Sequence, residues 1–194
     1  RGFQQHGISE ATGIDQSELM EIARDLRSYF NSIGKPLDVQ ARVYGELHSL
    51  FSPQETRHMA DVRNLVWLVY VTGAISGIYM FCVTTLGITR HGPQFTTRVS
   101  KWILWGGVVT TGLIVTIGML TIFAFESLFL AFHRISFAND LWKLDPRHNY
   151  LTRLFTQGFF FESTLLIGML SLMQSAGLIM VSLICKTCYR RVYK

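Results

Sequence analysis

The chain has 194 residues, of which 49% are apolar and 16% charged, with a formal net charge of +5. Asp, Glu, Lys and Arg are absent from three long runs, a distribution that excludes an ordinary water-soluble domain. The surplus of positive charge sits between those runs and gives no support for a nucleic-acid partner.

The first 63 residues carry seven basic and nine acidic side chains. Asp15 and Glu18 have the spacing of a capping box. Leu19, Ile22, Ala23, Leu26, Tyr29 and Phe30 follow at helical spacing, and Gly34 with Pro36 ends the helix they predict. Val39, Ala41 and Val43 alternate with polar residues, the pattern of a short strand. Ser52-Pro53-Gln54-Glu55 is a second capping box, with Pro at the first helical position. No breaker follows before Gly73, so this helix is predicted to run directly into a membrane span. His58 and Asp61 lie one turn apart on it and share a face with Glu55, above an apolar stripe of Val62, Leu65 and Val69. That placement puts an imidazole where the apolar face meets the membrane surface, with carboxylates in reach of its ring. A surface imidazole on a charge-rich helix fits the same local pattern.

The charge-free runs are Asn64–Thr89, Trp102–Phe125 and Ser163–Cys185, of 26, 24 and 23 residues. About 20 helical residues cross the hydrocarbon core, and lipid cannot satisfy bare peptide groups, so each run is predicted to be a spanning helix. Gly73 and Gly77 in the first, and Gly106, Gly107 and Gly112 in the second, are read as helix-packing positions. The loop 90–101 has three basic residues and no acid, and the tail 186–194 has four and no acid. Basic loops stay inside, so residues 1–63 and 126–162 face outward together and the C-terminus is cytoplasmic. An exported N-terminal region requires a preceding hydrophobic segment, so a fourth span is expected ahead of Arg1. The expected fold is an all-α polytopic membrane protein with a small extracytoplasmic N-terminal subdomain (1–63) and an outward interfacial segment (126–162).

In that segment the apolar run resumes as Ser127–Phe132, after the second span has already crossed the bilayer. A stretch so apolar is expected to lie along the interface or re-enter it. His133 follows, with Phe129, Leu130 and Phe137 at helical spacing. An ionisable group in such surroundings is costly and marks a candidate functional residue. An interfacial His reaching with Arg134 toward headgroups fits equally. Phe155 and Phe159–Phe161 read as an aromatic belt. Cys82, Cys185 and Cys188 lie in or beside spans, so the outward segments hold no thiol nucleophile or disulfide. The chain has no GxSxG elbow, P-loop, dinucleotide-binding glycine pattern or HExxH, and no metal or cofactor is expected.

The stretch FHRISFANDLWKLDPRHNYLTRLFTQGFFFE, together with ETRHMADVR, resembles the bacterial lipoprotein intramolecular transacylase family. The likeness covers about Leu50 to Glu162, and the order of spans and outward segments agrees. It departs at Asn149 and Thr156, where the family usually has Asp and Pro. The resemblance implies an acyltransferase of the bacterial cell membrane that moves an acyl chain from the lipoprotein diacylglyceryl group to the α-amine of the N-terminal cysteine. The product is a lyso-form lipoprotein. The family's two essential histidines fall on His58 and His133, with Asp61, Arg63, Arg134, Asn139, Asp140 and Trp142 as supporting or substrate-binding residues. The expected partners are diacylated lipoproteins and membrane lipid, with the chain acting as a monomer. The scheme it suggests has His58 as general base with Asp61 fixing its tautomer, and His133 as acid or carbonyl polariser. Asn139 or Arg134 would assist at the oxyanion, and the two histidines are interchangeable in it. Two other classes stay open: a metal-dependent hydrolase, should His6, His48, His58, His133 and His148 converge, and a non-enzymatic receptor or assembly subunit.

Overall fold

The structure, a computed structural model, describes residues 7–192, with side chains through Thr187. His6, the side chain of Cys188 and the end of the basic tail lie outside the described residues. The elements in order are α1 Ile8–Thr12, α2 Gln16–Phe30, β1 Gln40–Val43, β2 Glu46–Ser49, α3 Pro53–His91, α4 Phe95–Ser136, α5 Tyr150–Leu154 and α6 Gln157–Val192. The chain divides into two compact units. One comprises the residues through Tyr70 with Phe129–Phe161, the other Val71–Leu128 with the residues from Glu162 onward.

The first unit has its own hydrophobic core. Leu19, Ile22, Leu26 and Tyr29 form the buried stripe of α2, as their three- and four-residue spacing requires. They pack with Val39, Ala41 and Val43 of the strand segment, Leu50 and Phe51 just ahead of α3, Met59 within it, and Leu151 and Leu154 of α5. Strand β1 pairs antiparallel with β2, Val43 opposite Glu46 and Gln40 opposite Ser49. This hairpin adds to the helical architecture a feature only half visible in sequence. Its two-residue turn, Tyr44-Gly45, has positive φ at both positions, 51° and 88°. Such turns match the twist of the strands they join. The Tyr44 ring lies flat on Gly13, whose φ is +68° and where a Cβ would stand 2.6 Å from the ring. Gly13 therefore meets both a backbone and a space requirement.

Of the two capping boxes, one forms. The Ser52 amide donates to Glu55 Oε2 at 2.8 Å, and the Glu55 amide donates to Ser52 Oγ at 3.3 Å. Asp15 makes no side-chain cap, and Glu18 instead accepts a hydrogen bond from the Arg42 amide of β1 at 2.9 Å. The expected box is thus replaced by a tie between α2 and the hairpin, with the Glu18 carboxylate taken by a strand amide from another element.

The predicted uninterrupted passage from the Ser52 cap into the first span is observed as α3, which runs 39 residues without a break. It ends at Gly92, with φ 71°, whose amide donates to Ile88 O at 2.8 Å. Helix α4 is interrupted only at Ala124, where φ is −146°. Helices α3, α4 and α6 are each long and apolar enough to cross a membrane. Their large side chains, Phe81, Ile78, Val109 and Leu113 among them, are exposed. Lipid rather than water is the solvent that tolerates such surfaces. In the second unit α4 and α6 are joined by small residues. Ser175 Oγ donates to Gly107 O at 2.9 Å, and Thr111 shares a 2.9 Å hydroxyl contact with it. A Cβ on Gly107 would lie 2.6 Å from Ile179, so this glycine serves close packing. A Cβ on Gly73, Gly77, Gly106 or Gly112 would meet nothing within 4 Å.

Candidate functional site

Both candidate histidines belong to the first unit, and they meet. His58 projects from the second turn of α3 and His133 from the last turn of α4, and their ring centroids are 6.1 Å apart. His58 is 6% exposed and His133 8%. Such burial beside apolar rings argues against His58 as a surface imidazole and against His133 as an interfacial one reaching toward headgroups. Aromatic groups surround them. From His133 the ring centroids of Phe129, Trp142, Phe132 and Phe137 lie at 4.3, 5.2, 5.4 and 5.7 Å. Phe137 also stands edge-on to His58 at 5.1 Å. The helical spacing of Phe129 and Phe137 predicts their part in this cluster. Phe132, three residues beyond Phe129, has a spacing that the same face also allows.

The two rings are held differently. His133 Nδ1 lies 2.8 Å from the Phe129 carbonyl oxygen. A carbonyl only accepts, so Nδ1 carries the proton and Nε2 of the neutral ring is left with its lone pair. His58 Nδ1 is buried with no hydrogen-bond partner among the described residues. The pKa of His58 is lowered from the ordinary imidazole value, first by burial and then by neighbouring His133, against a smaller opposing pull from Asp61. His58 is therefore neutral at neutral pH.

Neither carboxylate on the His58 face is bonded to its ring. Asp61 Oδ2 accepts from Asn139 Nδ2 at 2.9 Å, while Asn139 Oδ1 takes the Leu141 amide at 3.0 Å. Glu55 is 1% exposed. One of its oxygens closes the Ser52 cap and the other accepts the Leu151 amide at 2.7 Å. Glu55 thus ties the turn that carries His58 to the start of α5. A second tie, from Gln54 Nε2 to the carbonyls of Leu141 and Lys143 at 3.2 Å each, fixes the loop bearing Trp142. Gln54 is a solvent-type residue in an ordinary helical position, and nothing in the sequence singles it out.

The remaining supporting residues scatter. Arg63 donates to the Lys35 carbonyl at 2.6 Å and lies over the Tyr29 ring. Asp140 pairs with Lys143 at 2.7 Å. Arg134 is exposed. His48 and His148 lie beside Glu46 and Asp145. Among the described residues no three His, Cys, Asp or Glu side chains are grouped to hold a metal ion. Asn149 Oδ1 accepts the Asp145 amide at 2.9 Å, and Thr156 Oγ1 accepts the Phe159 amide at 3.3 Å, so both departures from the family pattern have local structural partners.

A protein-family model described as lipoprotein intramolecular transacylase Lit matches residues 2–160. An uncharacterized protein from Aquifex aeolicus (strain VF5) is 24% identical over 160 residues, which is 82% of this chain and 68% of that protein. The in meso structure of the membrane integral lipoprotein intramolecular transacylase Lit from Bacillus cereus superposes with a TM-score of 0.67 at 18% identity, covering 98% of this chain and 79% of that one. A histidine-to-alanine variant of the same Bacillus cereus protein superposes with a TM-score of 0.55 at 19% identity, covering 98% and 77%. At these identities the solved structures speak for the fold.

Proposed function

The chain belongs to the lipoprotein intramolecular transacylase family, matched over residues 2–160, and from that premise we propose that it moves one acyl chain from the glycerol of a lipoprotein's diacylglyceryl group to the α-amine of the N-terminal cysteine. Acyltransfer on lipoproteins, within a membrane, is the family's activity. The finer reading rests on the paired, desolvated imidazoles at 6.1 Å.

The substrate supplies its own nucleophile. The amine nitrogen attacks the ester carbonyl carbon, and its proton passes to His133 Nε2, the ring nitrogen left bare by the bond to Phe129 O. The oxyanion that forms is stabilised by an N–H of neutral His58. Collapse breaks the bond between carbonyl carbon and glycerol oxygen, and His133 returns the proton to that oxygen. The products are an amide and a free glycerol hydroxyl, with no group gained or lost. Of the two interchangeable assignments that the resemblance allows, this is the one with His133 as base. The reason is that Asp61 is bonded to Asn139 and leaves the His58 ring unfixed. Holding amine and ester together supplies much of the rate, up to about 7–11 kcal/mol in the best intramolecular cases. A single chain suffices for this scheme.

Substrate and product are isomers, so the intact mass stays constant. Tandem mass spectrometry of a reporter lipopeptide incubated with the protein should yield fragments with acyl on nitrogen and a monoacyl glycerol. A lipopeptide lighter by one acyl group, with that chain released as free fatty acid, would instead favour a hydrolase.

We place the site on the extracytoplasmic face and the C-terminus in the cytoplasm, from the basic loop 90–101 and basic tail 186–194. In a background with the native cysteines replaced, Ser136→Cys should react with an impermeant maleimide on spheroplasts, and Thr97→Cys only after lysis. Labelling of the Thr97 position from outside would invert the topology.

A further inference from the structure

We propose that Asp61, steadied by Asn139, forms the subsite that receives the positively charged α-amino group of the lipoprotein's N-terminal cysteine before transfer. The proposal deepens the transacylase reading and rests on it.

The cleft at Asp61 has a volume of about 360 Å³. Leu65, Leu68, Phe137 and Ala138 give it apolar surface, and Asp61, Asn64, Ser136 and Asn139 give it polar surface, of which Asp61 is the one ionisable group. Ligand pockets run from about 300 to 1,000 Å³, so this one has room for an N-terminal residue's head but not for a whole diacyl lipid. Asp61 lies one turn beyond His58 on α3, and its charge is felt at the His58 ring. The cleft also shares Phe137 with the aromatic cluster around both histidines.

The carboxylate is oriented but not neutralised. Asn139 holds one oxygen at 2.9 Å, and the amide's own oxygen is taken by the Leu141 backbone. A carboxylate has about four acceptor positions, so several stay open. Among the described residues no Lys, Arg or His is ion-paired with Asp61. Arg63, the cation nearest along the chain, is committed to the Lys35 carbonyl and the Tyr29 ring. An anion beside apolar walls is stabilised chiefly by an opposite charge, and here the substrate brings it. An unperturbed α-amine has a pKa of about 7.7–8.0, so at pH 7 it arrives mainly as the ammonium. Its charge-assisted hydrogen bonds to Asp61 would set the nitrogen beside the histidine pair; one proton leaves to water, and His133 takes the next as the neutral amine attacks, returning it to the glycerol oxygen. Asp61 then acts in binding and orientation, and the proton transfer belongs to the imidazole.

The test separates binding from turnover. A dialkyl ether analogue of the lipopeptide cannot donate an acyl chain, so its affinity can be measured with a free α-amine and again with hydrogen in place of that amine. The full chain in nanodiscs should bind the amine form about tenfold more tightly. Asp61→Asn should cut that preference to less than twofold, and Asp61→Glu should restore part of it. Binding of the des-amino compound reports that each variant is folded. Should Asp61→Asn fail that check, Asn139→Ala, which frees the carboxylate from its tether, decides by lowering the preference. Equal affinities in the wild type, or a full tenfold preference in a folded Asp61→Asn, would overturn the subsite. Failure of the transacylase reading shows differently, as an ester lipopeptide that binds and is never rearranged.

Discussion

Alanine in place of His58 or of His133 should each lower the acyl-transfer rate by roughly 10²–10⁴, the range for loss of a general acid–base group. In the proposed scheme the two rings act on one tetrahedral intermediate, so the double variant should be little slower than the worse single one. His133→Phe separates chemistry from packing. It keeps the aromatic cluster filled and removes the proton carrier, so it should be as inactive as the alanine variant while unfolding near the wild-type temperature. The wild-type rate should also fall in acid, because only the unprotonated amine attacks. The folded-state pKa of His58 lies below its unfolded value, so the neutral ring persists as pH drops past the ordinary imidazole range. The same depression gives stability that is fully present above about pH 6.5, the unperturbed value, and is lost as pH falls through the lower folded one. Rate constants across pH 5–8 for the five proteins provide the check. A single alanine variant with wild-type rate would remove that histidine from the chemistry.

Glu55→Ala should have the largest effect on stability. The carboxylate is buried and accepts two backbone amides, from Ser52 at 2.8 Å and Leu151 at 2.7 Å. Removing it strands a buried Leu151 N–H at about 1–3 kcal/mol. It also breaks the reciprocal cap of α3, worth about 0.5–2 kcal/mol. Together these should cost about 2–4 kcal/mol and lower the unfolding midpoint in detergent by several degrees. Glu55→Gln keeps one acceptor oxygen, so it should lose less. Because the Leu151 tie fixes the turn that carries His58, both variants should also slow transfer. An unfolding midpoint unchanged in Glu55→Ala would show that the buried carboxylate does not hold the site together.

What could be anticipated from the sequence depended on how local its cause was. Charge-free runs of 23–26 residues announce membrane helices because lipid imposes one rule on every residue. The Ser52–Glu55 cap was visible because both partners lie within four residues. The Asp15–Glu18 spacing was identical and misleading, since the Arg42 amide claimed Glu18 from another element. Strand β2 was hidden for a different reason. All four of its residues are exposed, so no alternation of burial marks it, and Tyr44-Gly45 lacks the usual Asn-Gly turn signal. The meeting of His58 and His133 was anticipated through the family motifs rather than through spacing. Asp61 and Asn139, 78 positions apart, show what spacing alone leaves out. The helix face put Asp61 beside His58, and a residue from a distant loop took its carboxylate.

The central claim is that the acyl chain moves within one lipoprotein, by the substrate's own amine, with no acyl-enzyme on the way. The most direct test is a crossover experiment. Two lipopeptides are mixed in equal amounts, one with deuterated acyl chains and the other with an isotopically heavy peptide, and incubated with the protein. Tandem mass spectrometry of the N-acyl products should find each chain on its original peptide, with no doubly labelled species. Doubly labelled N-acyl peptide would mean that the chain had passed through the protein or between substrates, and would contradict the account.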